Sequence, residues 1–387
     1  MSNPQILPIL RSFVADVPPA PGEALDIPAL WQCAVQQNLL PILAYQNKRR
    51  RLFPDEAVNQ RLDAILYGTV AGNINRCIDF ETLSAHLTSQ GIAHMPVKGY
   101  YLRKLYPLPE LRTFGDIDVL IHPADREKTD RLMNSLGYTV DHDWEPTYSY
   151  GKGTEFYEIH TNLMDGNLDN RADLQAYFAG AWQHALPDEG LRYAPAQEFH
   201  FLYTVCHLAK HLYGGGAGLR MYLDIALYIR HCDAGLDWDT IAKEFATLHL
   251  TGFFHTVMNA ARLWFGVETR CPLPEPDEET LAHLLAYTLD SDLFGHSRDH
   301  AVVNLRNRET PSKGRLLQRM LFPSAGEIEQ RYTFLQNRHW LLPAAWVARL
   351  FANGKLIPRR IRDMRSVSKA KKTDVSTYDH FMKKIGL

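Results

Sequence analysis

The sequence predicts an α+β chain in which a small mixed β-sheet flanked by helices sits between an N-terminal helical cap and an α-helical C-terminal domain. Three observations carry that expectation. Residues 111–121 read as an apolar strand interrupted by Asp116 and Asp118. Residues 153–162 alternate with period two, which puts Phe156, Glu158 and His160 on one face of a second strand. From Pro195 onward helical apolar spacing dominates. The expected divisions are a helical region over 1–70, an α/β core over 71–190, a helical domain over 191–354 and a basic tail over 355–387.

In chain order, the Pro- and Gly-rich 18–22 is a break, and Leu30, Cys33, Ala34, Leu39 and Leu43 predict a helix over 27–46. Arg49, Arg50 and Arg51 supply cations suited to its C-terminus. Further helices are expected over 55–66 and 73–89, the latter closed by Gly91. The core reads as strand 94–97, helix 99–105, strand 116–121, helix 124–135 and a bent or hairpin pair of strands over 138–163. Pro123 and Asp125 make a good helix start. The C-terminal helices are expected over 196–213, 219–230, 238–249, 252–265, 278–289 and 328–353. The glycine run 214–218 separates the first two. It follows a helix and lacks the Gly-Lys-Ser/Thr ending of a phosphate-binding P-loop.

Composition excludes little but directs the search. At 387 residues the chain has ample material for a core without disulfides or structural metal, and a net charge of −2 gives no global pull toward nucleic acid or membrane. Five cysteines (Cys33, Cys77, Cys206, Cys232, Cys271) show no paired metal spacing and point to a reducing compartment. The first residues lack a signal-peptide pattern, and no apolar window approaches 18 uncharged residues, so a cytoplasmic protein without a transmembrane segment is expected.

Asp116 and Asp118 are the chemical anomaly. Two apart on a strand, they share a face with Cα atoms ~6.5 Å apart, while Ile117, Val119 and Ile121 point into a core. Two such acids repel each other and resist desolvation unless something cationic sits between them. A divalent ion of the Mg²⁺ kind, completed by substrate phosphates, meets that need, and a strand end that lets the acids reach solvent is the other reading. Upstream, Lys98-Gly99 reads as a turn between a strand and a helix opening, where backbone amides can face phosphate oxygens.

The order Lys98-Gly99, Tyr106-Pro107, Arg112, Asp116-x-Asp118, Leu136-Gly137-Tyr138 and Glu158-x-His160 resembles that of the uncharacterised nucleotidyltransferase family of bacterial proteins, within the DNA polymerase β-like nucleotidyltransferase superfamily. The resemblance is best over roughly residues 70–230. It implies Mg²⁺- (or Mn²⁺-) dependent transfer of a nucleoside monophosphate from an NTP, ATP among the candidates, to a hydroxyl on an acceptor that is a small molecule, a protein or RNA. Asp116, Asp118 and Glu158 would be metal ligands, with Glu158 alternatively the general base. Lys98, Gly99 and Arg112 would meet the phosphates, and His160 would orient Glu158 or touch the acceptor. The sequence departs from the superfamily at Tyr100, where a small residue usually follows the glycine, which puts phosphate contact through that turn in question.

Two further constellations stand apart. His207 and His211 share a helix face at i, i+4, and with Asp224 could form a metal site, although the stretch lacks the glutamate of a His-Glu-x-x-His protease. Their other readings are structural histidines or, with Lys210 and Arg220 as phosphate contacts, part of the nucleotide pocket. The tail concentrates Lys355, Arg359, Arg360, Arg362, Arg365, Lys369, Lys371, Lys372, Lys383 and Lys384, which reads as a solvated end or a contact for an anionic partner. The rivals to a transferase are therefore a catalytically silent nucleotide- or protein-binding module of the same fold, and a helical hydrolase built on His207, His211 and Asp224.

Overall fold

The N-terminal region is built from Ile6–Val14 (α1), Ile27–Gln36 (α2), Leu40–Arg49 (α3) and the first half of Glu56–Ser89 (α4). The computed structural model describes residues 5–20, 25–164, 168, 173–291, 322, 338–346 and 372–387. Where one helix is expected over 27–46 there are two, because Asn38 takes a left-handed φ of 53° and Pro41 opens a new helix. Gln37 at this break is fully buried. Its amide donates to the carbonyls of Thr288 at 3.1 Å and Ser291 at 2.6 Å, and its Oε1 accepts the Leu219 N–H at 2.6 Å. The break thus ties the N-terminal helices to residues 219 and 288–291.

The reverse happens over 55–89, where two expected helices form one of 34 residues, α4. Gly68 and Gly72 lie between the expected segments, yet neither has a positive φ and a side chain at either would meet open space. Their weak helix propensity is overridden by packing at both ends. Leu62 and Leu66 join the core shared with α1–α3, whereas Phe80, Leu83 and Leu87 join the core beneath the sheet.

The sheet has seven strands. They are His94–Pro96 (β1), Ile117–Ile121 (β2), Thr139–Trp144 (β3), Thr147–Lys152 (β4), Glu155–His160 (β5), Ala185–Glu189 (β6) and Arg192–Pro195 (β7). Their order is β3-β4-β5-β2-β1-β7-β6, with β2–β5 and β1–β7 parallel and the other pairs antiparallel. The short helix Gly99–Leu102 (α5) follows β1, Arg126–Ser135 (α6) follows β2, and Leu174–Phe178 (α7) precedes β6. The β6–β7 hairpin was not among the expected strands. Leu186 is exposed and Pro187 sits within β6, an edge strand where a missing N–H is tolerated.

Alternation along β2 divides its two faces. Ile117, Val119 and Ile121 pack with Tyr157, Ile159, Leu132 and Met133 beneath α4 and α6. Leu120 faces the other way, into the larger core that also holds Met95, Val97 and the C-terminal helices. Asp118 shares that face with Leu120 by strand periodicity.

Those helices are Gln197–Gly214 (α8), Leu219–Cys232 (α9), Trp238–Thr247 (α10), Thr251–Phe265 (α11) and Glu278–Asp290 (α12). The α8–α9 turn needs its glycines, since Gly215 and Gly216 have φ of 145° and 130°. The helix expected over 328–353 lies largely outside the described residues, as does 355–371 of the basic tail. The described end of the tail is a helix, Lys372–Lys384, that returns to the main core through Tyr378, Met382, Ile385 and Leu387. Among the described residues no helix is long and apolar enough to cross a membrane.

Candidate active site

The candidate site lies where β2 and β5 run side by side under α8. Their parallel register pairs Asp118 with Glu158 and Leu120 with His160. Period two then places Glu158 and His160 on the same face as Asp118. His160 Nε2 is 2.9 Å from Asp118 Oδ1 and 3.6 Å from Glu158 Oε2. With carboxylates on that side, the imidazole proton belongs on Nε2, and Nδ1 accepts from the Thr147 hydroxyl at 3.1 Å. Thr147 is brought there by β4, whose register sets it opposite His160. No sequence signal marked Thr147, because only the pairing of β4 with β5 gives it a role.

The cation that the acid pair requires is supplied in part by the chain itself. Lys98 follows β1 and precedes α5 with φ of 46°, a conformation non-glycine residues rarely adopt. Two amides, those of Tyr101 and Leu102, donate to its carbonyl at 3.1 and 2.9 Å. The side chain is thereby aimed inward, and Nζ lies 2.6 Å from Asp118 Oδ1. It also stands 5.9 Å from the centre of the Tyr203 ring on α8, another residue the sequence did not single out.

The three acids have different electrostatic settings. Burial pushes the Asp118 carboxyl up, but Lys98 and His160 outweigh it and hold the group well below the usual carboxylate range. Asp116 precedes β2, and burial with the Asp118 carboxylate raises it, Lys98 opposing. Burial, then Asp118 and Asp116, push Glu158 up to about 7 against the pull of Lys98 and Lys210. One carboxylate is therefore charge-paired while its two neighbours hold their protons more tightly than ordinary carboxyls do.

From α8 come Tyr203, His207, Lys210 and His211. The two imidazoles meet, Nε2 to Nε2, at 3.2 Å. Burial lowers the His207 pKa, reinforced by Lys98, His211 and Lys210. Burial, then Lys98 and Lys210, lowers His211 to about 4. Both are neutral imidazoles at pH 7 next to two ammonium groups.

Asp224 is not turned to that pair. It accepts from Arg112 Nε at 2.9 Å and Nη2 at 2.8 Å, and from the Tyr106 hydroxyl at 2.7 Å. Arg112 and Asp224 are 6% and 3% exposed, so this bidentate pair is a buried brace between the segment before β2 and α9. The hydrolase grouping His207–His211–Asp224 is therefore not assembled. Arg112 and Gly99 also have a shared structural part to play. A Cβ at Gly99 would stand 2.6 Å from Arg112 Nη1, so the glycine admits the guanidinium. Arg220, one helical turn before Asp224, donates through Nη1 to the Thr113 carbonyl.

Among the described residues, the group with donor atoms suited to a metal ion is Asp118, Glu158 and His160, whose ligand atoms lie within 4.8 Å of one another. Two carboxylates and an imidazole whose far nitrogen is held by a hydroxyl fit a divalent ion. This set differs from the expected Asp116, Asp118 and Glu158 in having His160 in place of Asp116.

Comparison with known proteins gives one family. A family described as "Uncharacterised nucleotidyltransferase" matches residues 23–266, which takes in α2–α11 and the whole sheet. No curated protein matches the chain. Among solved structures, the antibiotic-resistance factor ANT(2'')-Ia is similar over 45% of this chain and 93% of its own, at 13% sequence identity and a TM-score of 0.34.

Proposed function

Because the chain belongs to the uncharacterised nucleotidyltransferase family, we propose that it transfers a nucleoside monophosphate from an NTP to a hydroxyl-bearing acceptor, with Asp116, Asp118 and Glu158 as the acidic centre. The single observation that supports this most is the parallel register of β2 and β5, which sets Asp118 opposite Glu158 with Lys98 Nζ 2.6 Å from Asp118. A strand end that merely exposes its acids would have no need of a strained lysine buried against one of them.

In this reading Asp116, Asp118 and Glu158 hold Mg²⁺ or Mn²⁺, which when bound neutralises triphosphate charge and lowers the pKa of the attacking hydroxyl. Lys98 and Lys210 meet the phosphates from opposite sides, one after β1 and one on α8. His211 and Arg220 line the same side as Lys210. As the alternative to ligating the ion, Glu158, whose carboxyl is pushed up to about 7, accepts the proton released by the acceptor hydroxyl. His160 holds the carboxylate of Asp118 in place and keeps Glu158 within reach. Arg112 acts at a distance by fixing the turn at Gly99 through its brace to Asp224. Positioning and charge compensation supply most of the rate.

The test is to incubate the protein with Mg²⁺ or Mn²⁺ and each α-labelled NTP in turn, with cell extract as a source of acceptor, and to follow the label. Label retained on a protein, RNA or small molecule in a manner lost on Glu158→Gln supports the reading. Release of label with any NTP only as free nucleotide would exclude transfer.

A further inference from the structure

Resting on that reading, we infer that His160 is itself a ligand of the catalytic ion, so that the site takes a first-row divalent ion such as Mn²⁺ or Co²⁺ in preference to Mg²⁺. The imidazole nitrogen stands near both carboxylates, at separations close to those such an ion demands. Ligands at right angles on one ion, with bonds of 2.0–2.2 Å, stand ~3 Å apart. His160 Nε2 is 2.9 Å from Asp118 Oδ1 and 3.6 Å from Glu158 Oε2. The ring is fixed for the purpose, since its side chain is 5% exposed and Nδ1 is bonded to Thr147.

A hydroxyl is the partner that makes this possible without reorganisation. In the ion-free state Nε2 carries the proton toward the carboxylates and Nδ1 accepts from Thr147 Oγ1. To bind an ion through Nε2, the ring carries its proton on Nδ1 instead. The Thr147 hydroxyl then accepts instead of donating. A carbonyl in that place could serve only the second state. Mg²⁺ prefers oxygen and keeps its waters, whereas imidazole suits transition ions, so a fixed nitrogen in the set shifts selectivity away from Mg²⁺.

The inference is tested by electron spin echo measurements on the protein loaded with Mn²⁺ and inorganic triphosphate, which contains no nitrogen. Expected is a ¹⁴N modulation typical of a coordinated imidazole that persists in His207→Gln/His211→Gln and vanishes in His160→Gln. Calorimetry should show Mn²⁺ bound ~10–100-fold more weakly by His160→Gln than by wild type, with a smaller change for Mg²⁺. Bound Mn²⁺ without ¹⁴N modulation in the wild-type protein would overturn the inference and leave the transferase reading standing. A modulation lost in the His207/His211 variant would move the ion to α8 and also overturn it. Failure of the wild-type protein to bind either ion with triphosphate would remove both.

Discussion

Lys98 Nζ and Asp118 Oδ1 are 2.6 Å apart, with side chains 17% and 7% exposed, so the centre of the acidic site holds an ion pair within the protein itself. Asp116 and Asp118 require a cation to coexist, and the chain provides one from Lys98, two residues after β1. Removing one partner of a buried pair leaves an uncompensated charge, which destabilises by about 3–5 kcal/mol. Lys98→Met should therefore lower stability in EDTA by roughly that amount, toward the lower end because His160 remains beside Asp118. Mn²⁺ should restore more stability to the variant than to wild type, since the ion then compensates Asp118 alone. Urea melts of both proteins with and without Mn²⁺ check this, and equal metal-induced gains would show that Lys98 and the ion do not act on the same carboxylate.

Glu158 gives a pH signature. Its folded pKa is pushed up to about 7, by burial and then by Asp118 and Asp116, from the ordinary carboxyl value of 4.5. Between those values the folded state binds more protons than the unfolded chain, so this group's contribution to stability falls as pH rises from 4.5 to 7 and is flat above. His207 and His211, lowered chiefly by burial, act in the opposite sense, since the unfolded chain takes up their protons first as pH falls through 6.5. The Glu158 share is therefore read as a difference. In EDTA, Glu158→Gln should gain stability relative to wild type as pH rises from 5 to 7. A difference that does not change with pH would mean that Glu158 is ionised throughout.

The strand faces of the site were legible in the sequence because they depend on local alternation. Asp118 and Glu158 each break an otherwise apolar or alternating strand, and period two alone assigns their faces. Lys98 was legible through the glycine that follows it, although the reason for Gly99 was not, since the guanidinium it admits belongs to Arg112. What stayed hidden rests on contacts distant in sequence. The Arg112–Asp224 brace joins residues 112 positions apart, and neither side chain carries a mark of the other. Thr147 acquires its role only through β4–β5 pairing. The β6–β7 hairpin was missed because a short edge strand containing Pro187 lacks the alternation that a half-buried strand shows. Helix α4 was divided in two because Gly68 and Gly72 weaken the local signal that packing then overrides.

The brace predicts a separation between stability and metal. Asp224→Asn leaves the Arg112 guanidinium buried without its counter-charge, and about 3–5 kcal/mol of stability should be lost. Gly99→Ala should cost about 1–3 kcal/mol by driving the same guanidinium aside. Neither change, nor His207→Gln/His211→Gln, should alter bound zinc measured by elemental analysis, because no zinc grouping is built from Asp224 and the two histidines. Stoichiometric zinc that disappears in the double histidine variant would return a helical metal centre to consideration.

The last prediction separates two acids that look equivalent in Asp-x-Asp. Asp116 is raised by burial and by Asp118, so its charge is unfavourable in the ion-free protein, and Asp116→Asn should be neutral or slightly stabilising in EDTA. Asp118 is lowered by Lys98 and His160 in spite of burial, so its charge is favourable. Asp118→Asn should be destabilising, since it leaves the Lys98 ammonium without the carboxylate 2.6 Å away. Combining it with Lys98→Met should recover much of the loss, because removing both charges also removes the uncompensated one. On the proposed chemistry both single variants should lose at least ~1000-fold in transfer, a deficit of ~4 kcal/mol in transition-state stabilisation. Stability and activity would then diverge for Asp116→Asn alone. If the two single variants instead destabilise equally and the double variant recovers nothing, the Lys98–Asp118 pair is not what holds the ion-free site together.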